Sequence, residues 1–323
     1  MTGQAEHHDA GHHEAVSQRS DPSMPAVQHD ATLPPDADPR VTQERVSLYS
    51  LDREGTRLVY RLRGEAGRPV VVLIQGLGLS GAMWGALPET LATAGFHVLT
   101  PDNRGTGGSA SSRMPFRMVT LADDVAAMLD HAGLDRGLVV GISMGGMVAQ
   151  RLAIRHPDRV RGLVLAATSC GAPYARLAAP RVLLRLVQAC VVNPGETNLD
   201  DLLFHPRTLR EQPEVVDDWG QRVAREQFSV PGMLGQLTAA ATHAAGFSLA
   251  SIRCPTEVVT GDTDRLVPTV NARILASRIA DSRLTLVPEG GHAFPIEHPE
   301  VLPLLIKRLH QRAGEREARQ RSA

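Results

Sequence analysis

The run Gly141-Ile142-Ser143-Met144-Gly145 has the spacing G-x-S-x-G, with a serine between two glycines. An apolar run, Leu138–Ile142, precedes the serine and a helical pattern, Gly146–Ile154, follows it, so the sequence predicts a strand, a sharp turn and a helix. Only small residues fit two positions before and after a serine at such a turn. Ser143 is therefore a candidate nucleophile, which needs a base to take its proton.

The ends of two later predicted strands carry the residue types that an activated serine requires. His292 follows the last strand in a Gly-Gly turn and is the candidate base. Asp262 and Asp264 both follow the preceding strand and compete for the role of orienting the imidazole. We favour Asp264, because it lies two residues further from the strand and precedes the next helix. The chain order Ser143, Asp264, His292 is the order expected for this kind of site.

An acyl-transfer site also needs donors for the oxyanion that forms during the reaction. One donor is expected from the backbone N–H of the residue after the nucleophile, and another from the loop after the third strand. These residues are Met144 and, in the run Gln75-Gly76-Leu77-Gly78, Leu77. The glycines allow this loop to approach the edge of the sheet closely.

The rest of the pattern predicts the elements that position these residues. Apolar runs of strand length alternate with amphipathic helices, which predicts right-handed βαβ crossovers and a doubly wound, mostly parallel α/β sheet. A hairpin with Glu54-Gly55 at its turn precedes the alternation. The clearest helix is expected to begin at Thr120 as its N-cap and to stop at Gly133. The predicted parallel strands are Val70–Ile74, Phe96–Thr100, Leu138–Ile142, Leu163–Ala166, Thr256–Thr260 and Leu284–Val287.

The chain divides into four kinds of segment. Residues 1–42 are rich in His, Pro and Asp and are expected to be a disordered tail. Residues 43–172 and 249–311 carry the strand–helix alternation of the core. Residues 173–248 contain helical patterns and no strand pattern, which predicts a helical cap over the C-terminal ends of the strands, where open α/β sheets bind ligands. Residues 312–323 are polar and are expected to be a flexible C-terminal tail.

Composition restricts the partners and the compartment. The formal charge of −1 gives no general attraction to nucleic acid or to an anionic membrane. Every uninterrupted apolar run is far shorter than the roughly 20 residues of a transmembrane helix. No basic and apolar leader is visible, so we expect a soluble cytoplasmic protein. Cys170, Cys190 and Cys254 are far apart and lack metal-ligand spacing, so no disulfide framework, metal site or cofactor is predicted.

Together, these motifs resemble the α/β-hydrolase superfamily, over about Val46 to Leu309. The resemblance implies an eight-stranded sheet with a helical cap and the triad Ser143, Asp264 and His292. It also implies that Asp102 and Arg104 fix a turn near the site. Gln75 departs from the pattern, because many relatives carry His before the glycine. The motifs that carry the resemblance are Gln75–Gly78, Asp102–Ser109, Gly141–Gly146, Gly261–Asp264 and Gly290–His292.

Within the superfamily, the stretch from Leu121 to Thr168 is similar to bacterial 3-oxoadipate enol-lactonases, to methylesterases of polyketide tailoring and to cofactor-free haloperoxidases. These relatives imply hydrolysis of a small carboxylic ester or lactone by a serine nucleophile. C–C bond hydrolysis or perhydrolysis on the same triad remains open, as does a slow-turnover receptor for a small ligand, because the cap and pocket differ among such proteins. The oligomeric state is left open. The candidate pocket residues are Trp84, Cys170, Trp219 and Phe294.

Overall fold

The computed structural model describes residues 46–110, 115–192, 197–227 and 229–322. The expected disordered tail, residues 1–42, lies outside the described residues.

Eight strands form one sheet in the order β1-β2-β4-β3-β5-β6-β7-β8. Both β1–β2 and β2–β4 pair antiparallel, and every pair from β4 to β8 is parallel. Glu54 and Gly55 both have positive φ (55° and 74°), as the two-residue turn of the predicted hairpin requires. The strands are β1 (Ser47–Arg53), β2 (Thr56–Arg63), β3 (Val70–Ile74), β4 (His97–Asp102), β5 (Gly137–Ile142), β6 (Val160–Ala166), β7 (Thr256–Gly261) and β8 (Ser282–Val287).

Helices cover both faces of this sheet, as the alternation predicts. Along β3, Val72 and Ile74 belong to an apolar cluster with residues of α2 and α3, whereas Val71 and Leu73 belong to a second cluster with residues of α11. The strand is therefore buried on both faces, which explains its continuous apolar sequence. The helices are α1 (Leu87–Thr93), α2 (Met118–His131), α3 (Met144–Arg155), α4 (Pro180–Val187), α5 (Asp200–Leu203), α6 (Pro206–Glu211), α7 (Pro213–Ala224), α8 (Val230–Ala241), α9 (Val270–Arg278), α10 (Phe294–Glu297) and α11 (Val301–Arg321).

The predicted N-cap of α2 is wrong by three residues, because the N-cap is Arg117. The helix begins at Met118, and Thr120 lies in its first turn, where its Oγ1 accepts a hydrogen bond from the N-cap Arg117 N–H (3.4 Å). Thr120 thus contributes the second half of a capping box rather than the cap itself. The predicted stop is confirmed, because the chain leaves the helix at Gly133 with φ 66°.

The segment between β6 and β7 contains α4 to α8. In its described residues, 173–192, 197–227 and 229–248, no strand of the sheet is present. Several of these helices begin with proline in the first turn, for example at Pro206 and Pro213, where the missing N–H has no cost. We refer to residues 173–248 as the cap.

The expected flexible tail at residues 312–323 is wrong for the described residues, because α11 continues to Arg321. Arg312 donates hydrogen bonds to the carboxylates of Glu257 and Asp281, each at 2.6 Å. The Glu257 side chain on β7 is completely buried, so its charge requires guanidinium partners. The polar sequence predicted a solvated end, whereas its arginines pair with acidic groups that are distant in sequence.

We expect a chain that ends at Gln311 to be less stable by about 3 kcal/mol, because Glu257 then keeps only its contact with Arg308. A chain that ends at Glu317 retains Arg312 and is the matched control. Urea unfolding followed by circular dichroism measures the difference. Equal midpoints for the two shortened chains would contradict a role of Arg312 in stability.

Candidate active site

Ser143 lies at a strained turn between β5 and α3. Its φ of 54° is in the region that non-glycine residues rarely adopt, and its N–H donates to the Ala166 carbonyl (2.9 Å) on the neighbouring strand β6. A Cβ on Gly141 would lie 2.2 Å from the Gly145 carbonyl oxygen. A Cβ on Gly145 would lie 2.2 Å from the Ile74 carbonyl oxygen. Both glycines are therefore required for the turn that presents the serine.

We expect Gly145→Ala to destabilise the fold by about 3 kcal/mol or more, because the added methyl group collides with the backbone of β3. Gly220→Ala is the matched control: Gly220 is exposed on α7, and a Cβ there meets no atom within 4 Å. This control should gain about 0.5–1 kcal/mol, as alanine does in an open helical position. Urea unfolding measures both values, and equal effects of the two substitutions would contradict the packing argument.

Asp264 and His292 form a buried hydrogen-bonded pair beyond β7 and β8. His292 Nδ1 lies 2.9 Å from Asp264 Oδ2, and the Asp264 side chain has no exposed surface. The other carboxylate oxygen accepts the backbone N–H groups of Leu266 (2.9 Å) and Val267 (2.8 Å). Because an ionised carboxylate only accepts hydrogen bonds, the pair places the imidazole proton on Nδ1. Nε2 is then able to accept a proton.

The structure distinguishes the two competing aspartates. Asp262 is exposed, and no hydrogen bond joins its carboxylate to His292 in the described chain. Its backbone N–H donates to Val287 O (3.0 Å) on β8. Asp264, two residues later, is the aspartate that contacts the imidazole of His292.

The loop after β3, residues 75–78, contacts the serine turn. A Cβ on Gly76 would lie 3.3 Å from Ser143 Cβ and 3.8 Å from Ser143 Oγ. The N–H groups of Gly76 and Gly78 donate to the side chains of Gln75 (2.9 Å) and Gln236 (2.8 Å). Between them, the Leu77 N–H has no hydrogen-bond acceptor among the residues that the structure describes.

Met144 is the first residue of α3, and the first N–H groups of a helix have no partner within the helix. Its N–H therefore lies at the helix terminus that follows Ser143, where the helix dipole favours negative charge. Met144 and Leu77 thus both offer backbone donors on elements that adjoin Ser143.

The three side chains of the predicted triad follow β5, β7 and β8, at the same edge of the sheet. The pair Asp264–His292 is formed, whereas within the described residues no hydrogen bond joins the Ser143 hydroxyl to the His292 ring. Catalytic hydrogen bonds of this kind are often long in the absence of substrate and shorten when it binds.

Three of the four expected pocket residues, Trp84, Phe294 and Cys170, are buried in core clusters. Trp84 donates from Nε1 to the Leu73 carbonyl (3.0 Å) and packs in the same buried cluster as Phe294, which has no exposed surface. Both side chains therefore pack in the core, and their assignment to the pocket stays a prediction. The residue type of an aromatic side chain next to a sequence motif does not distinguish a position in the pocket from a position in the core.

Cys170 and Trp219, the remaining expected pocket residues, lie in different surroundings from each other. Cys170 is buried in the core cluster that contains α2 and α3, and burial raises the pKa of its thiol, which disfavours a reactive thiolate. Trp219 on α7 is half-buried and packs in a cap cluster that includes Ala293, the residue after His292. Trp219 therefore stays a prediction for the pocket.

Four further residues fix the loops of the site. The expected roles of Asp102 and Arg104 in a turn agree with the structure, because Asp102 accepts the N–H groups of Gly81 and Gly108 (2.8 and 2.9 Å) and Arg104 pairs with Asp124 (2.6 Å). The sequence analysis missed Glu297 and Gln236. They are five residues after His292 and 93 residues after Ser143, respectively, and neither belongs to a motif.

Glu297 connects the cap to the loop of His292. Its carboxylate accepts the Gly291 N–H (2.6 Å) at one oxygen, and the His205 N–H (2.6 Å) and Thr208 hydroxyl (2.8 Å) at the other. The Ala293 N–H in turn donates to the Leu203 carbonyl (2.8 Å). Ala293 is thus bonded directly to the cap residue Leu203, whereas Gly291 is connected to His205 and Thr208 through Glu297.

Two observations concern other kinds of site. In the described chain, no three His, Cys, Asp or Glu side chains are grouped as ligands of a metal ion. Nor does any helix of the described chain have the length and apolar character needed to cross a membrane.

The family model described as "alpha/beta hydrolase fold" matches residues 69–299. A poly(3-hydroxyalkanoate) depolymerase from Ectopseudomonas oleovorans is 31% identical over 263 residues, which cover 81% of this chain and 91% of the relative. 3-Oxoadipate enol-lactonase 2 from Acinetobacter baylyi is 27% identical, with 81% and 96% covered. The solved enol-lactonase from Burkholderia xenovorans LB400 superposes with a TM-score of 0.71 at 26% identity, with 81% and 100% covered. The chain belongs to the α/β-hydrolase family.

Proposed function

We propose that this protein is a serine hydrolase of small carboxylic esters or lactones, which acts through an acyl-enzyme on Ser143. The observation that carries the proposal is the buried Asp264–His292 pair, at the same edge of the sheet as a serine held at φ 54°. Two relatives add support, because polyhydroxyalkanoates and lactones both contain carboxylic ester groups.

In the first half of the reaction, Ser143 Oγ attacks the carbonyl carbon and its proton passes to His292 Nε2. The carbonyl oxygen becomes an oxyanion, which the N–H groups of Leu77 and Met144 stabilise, each worth about 3–4 kcal/mol in sites of this kind. Collapse of the tetrahedral intermediate breaks the bond to the alcohol oxygen. That oxygen takes the proton from His292, and the acyl group stays on Ser143.

In the second half, His292 takes a proton from water, whose oxygen attacks the acyl carbon. The bond between the acyl carbon and Ser143 Oγ then breaks, Oγ takes the proton back from His292, and the acid is released. Asp264 keeps the imidazole in the required tautomer and stabilises the imidazolium that forms twice in the cycle. These steps use only side chains and backbone groups of this chain. Trp219, beside Ala293, is the proposed contact for the apolar part of the substrate.

Intact-protein mass spectrometry after treatment with a fluorophosphonate tests the activated serine. We expect one adduct on the wild-type protein and none on Ser143→Ala, with the same circular dichroism spectrum for both. A folded wild-type protein that takes no adduct, or a variant that is still labelled, would contradict the proposal. Labelling followed by hydrolysis of p-nitrophenyl butyrate or a small lactone supports ester chemistry, whereas labelling with turnover only of a ketonic substrate, or only with peroxide, contradicts it.

A further inference from the structure

Gln236 on the cap helix α8 is a fully buried amide with partners at both ends. Its Oε1 accepts the N–H of Gly78 (2.8 Å), and its Nε2 donates to the carbonyl of Arg104 (3.0 Å). Gly78 belongs to the loop after β3 and Arg104 to the turn after β4, so one side chain joins two loops at the edge of the sheet where Ser143 lies.

The loop after β3 is a tight turn whose shape depends on few bonds. The Leu79 N–H donates to the Gly76 carbonyl (3.4 Å), and Gly78 has a φ of 72°, as the third residue of a type II turn requires. Leu77, the second residue, carries the N–H that has no acceptor in the described chain. Gly78 is the residue directly after it, so the bond from Gly78 to Gln236 restricts the position of Leu77.

Packing leaves α8 little freedom to move relative to these loops. A Cβ on Gly232 would lie 2.5 Å from Gly105 Cα, so the two backbones touch. A Cβ on Gly78 would lie 2.5 Å from Met233 Cε, so this side chain packs directly against the turn. These contacts hold α8 in place, and the amide of Gln236 on this helix in turn holds the loop after β3.

We infer that Gln236 is a positioning residue for oxyanion stabilisation, through which the cap sets the location of the Leu77 N–H. The inference rests on the proposed function, in which this N–H binds the oxyanion. A backbone donor contributes fully only within hydrogen-bond distance of the oxyanion, which forms after the substrate has bound. Loss of the Gln236 amide should therefore affect the transition state more than the bound substrate.

The test compares Gln236→Met with Gln150→Met. Gln150 on α3 is also fully buried and donates from Nε2 to a backbone carbonyl, that of Ser169 (3.0 Å), but it does not bond the loop after β3. Both substitutions remove a buried amide of the same size, so both should lower the unfolding midpoint. Hydrolysis of p-nitrophenyl butyrate gives kcat and KM, and inhibition by butylboronic acid, which forms a tetrahedral adduct on serine, reports on the oxyanion site.

For Gln236→Met we expect kcat to fall about 10- to 100-fold and boronate affinity to fall in parallel, with KM within about threefold of wild type. For Gln150→Met we expect all three values to stay within about threefold of wild type. If kcat and boronate affinity of the two variants agree within threefold, Gln236 is only structural and the inference is overturned. Activity that persists in Ser143→Ala overturns the proposed function instead, whatever the glutamine variants show.

Should Gln236→Met not fold, Gln236→Asn provides the test, because the side chain keeps its amide but is one methylene too short to reach Gly78 from the same backbone position. The expected result has the same direction: lower kcat and weaker boronate binding at constant KM. Wild-type values of both in folded Gln236→Asn would overturn the inference.

Discussion

Replacing Ser143 by alanine should lower the turnover of an ester substrate by about 10⁴-fold or more. The hydroxyl is the proposed nucleophile, so its removal leaves only binding and the oxyanion donors to promote attack by water. The fold should persist, because alanine is no larger than serine and the close contacts of the turn involve the flanking glycines. Steady-state kinetics and circular dichroism on the same preparations measure both properties.

Wild-type turnover in a folded Ser143→Ala protein would exclude the acyl-enzyme mechanism. The matched control is Ser251→Ala, since Ser251 is exposed at the end of the short helix Leu249–Ser251 and bonds only to its own segment. This variant should keep turnover within about twofold of wild type.

The second large effect is expected for Asp264→Asn, with a fall in kcat of about 10³- to 10⁴-fold. The carboxylate oxygen that faces Leu266 and Val267 accepts two N–H groups, so the amide of the variant should keep its oxygen there. Its NH2 group then faces His292 Nδ1, which must become an acceptor. The imidazole proton moves to Nε2, and the base can no longer take the serine proton.

Asp262→Asn is the control for this substitution, because Asp262 lies in the same loop, is exposed and does not contact His292. Its kcat should stay within about twofold of wild type. Comparison of kcat for the two variants at one pH is sufficient, and the opposite ranking would identify Asp262 as the orienting acid.

The sequence predicted those parts of the site that depend on local geometry. The G-x-S-x-G spacing predicts the turn at Ser143 because the close contacts of Gly141 and Gly145 follow from the turn itself. Apolar runs predicted the strands for a similar reason: a strand buried on both faces, such as β3, has no polar position. The choice of Asp264 over Asp262 used position relative to the strand end, and the structure places Asp264 against His292.

The parts that could not be predicted depend on contacts between distant segments. Trp84 and Phe294 flank catalytic motifs in sequence, yet they face the core cluster on the α11 side of the sheet. The C-terminal helix has the polar composition of a solvent-exposed segment. Its Arg312 nevertheless pairs with Glu257 on β7, a contact between distant residues that the sequence alone does not reveal. Gln236 belongs to no sequence motif. Its two partners, Gly78 and Arg104, are distant in sequence and reach it only through the packing of α8.

Glu297 has a consequence for how the substrate range of this enzyme can change. Because one carboxylate bonds both Gly291, beside the proposed base His292, and His205 in the cap, these two parts of the chain are not independent modules. A cap transplanted from a relative onto this core would lose that bond unless residues 203–208 of this chain and Glu297 are both kept. Directed evolution of specificity is better served by variation in α7, which carries the proposed substrate contact Trp219 and does not include residues 203–208.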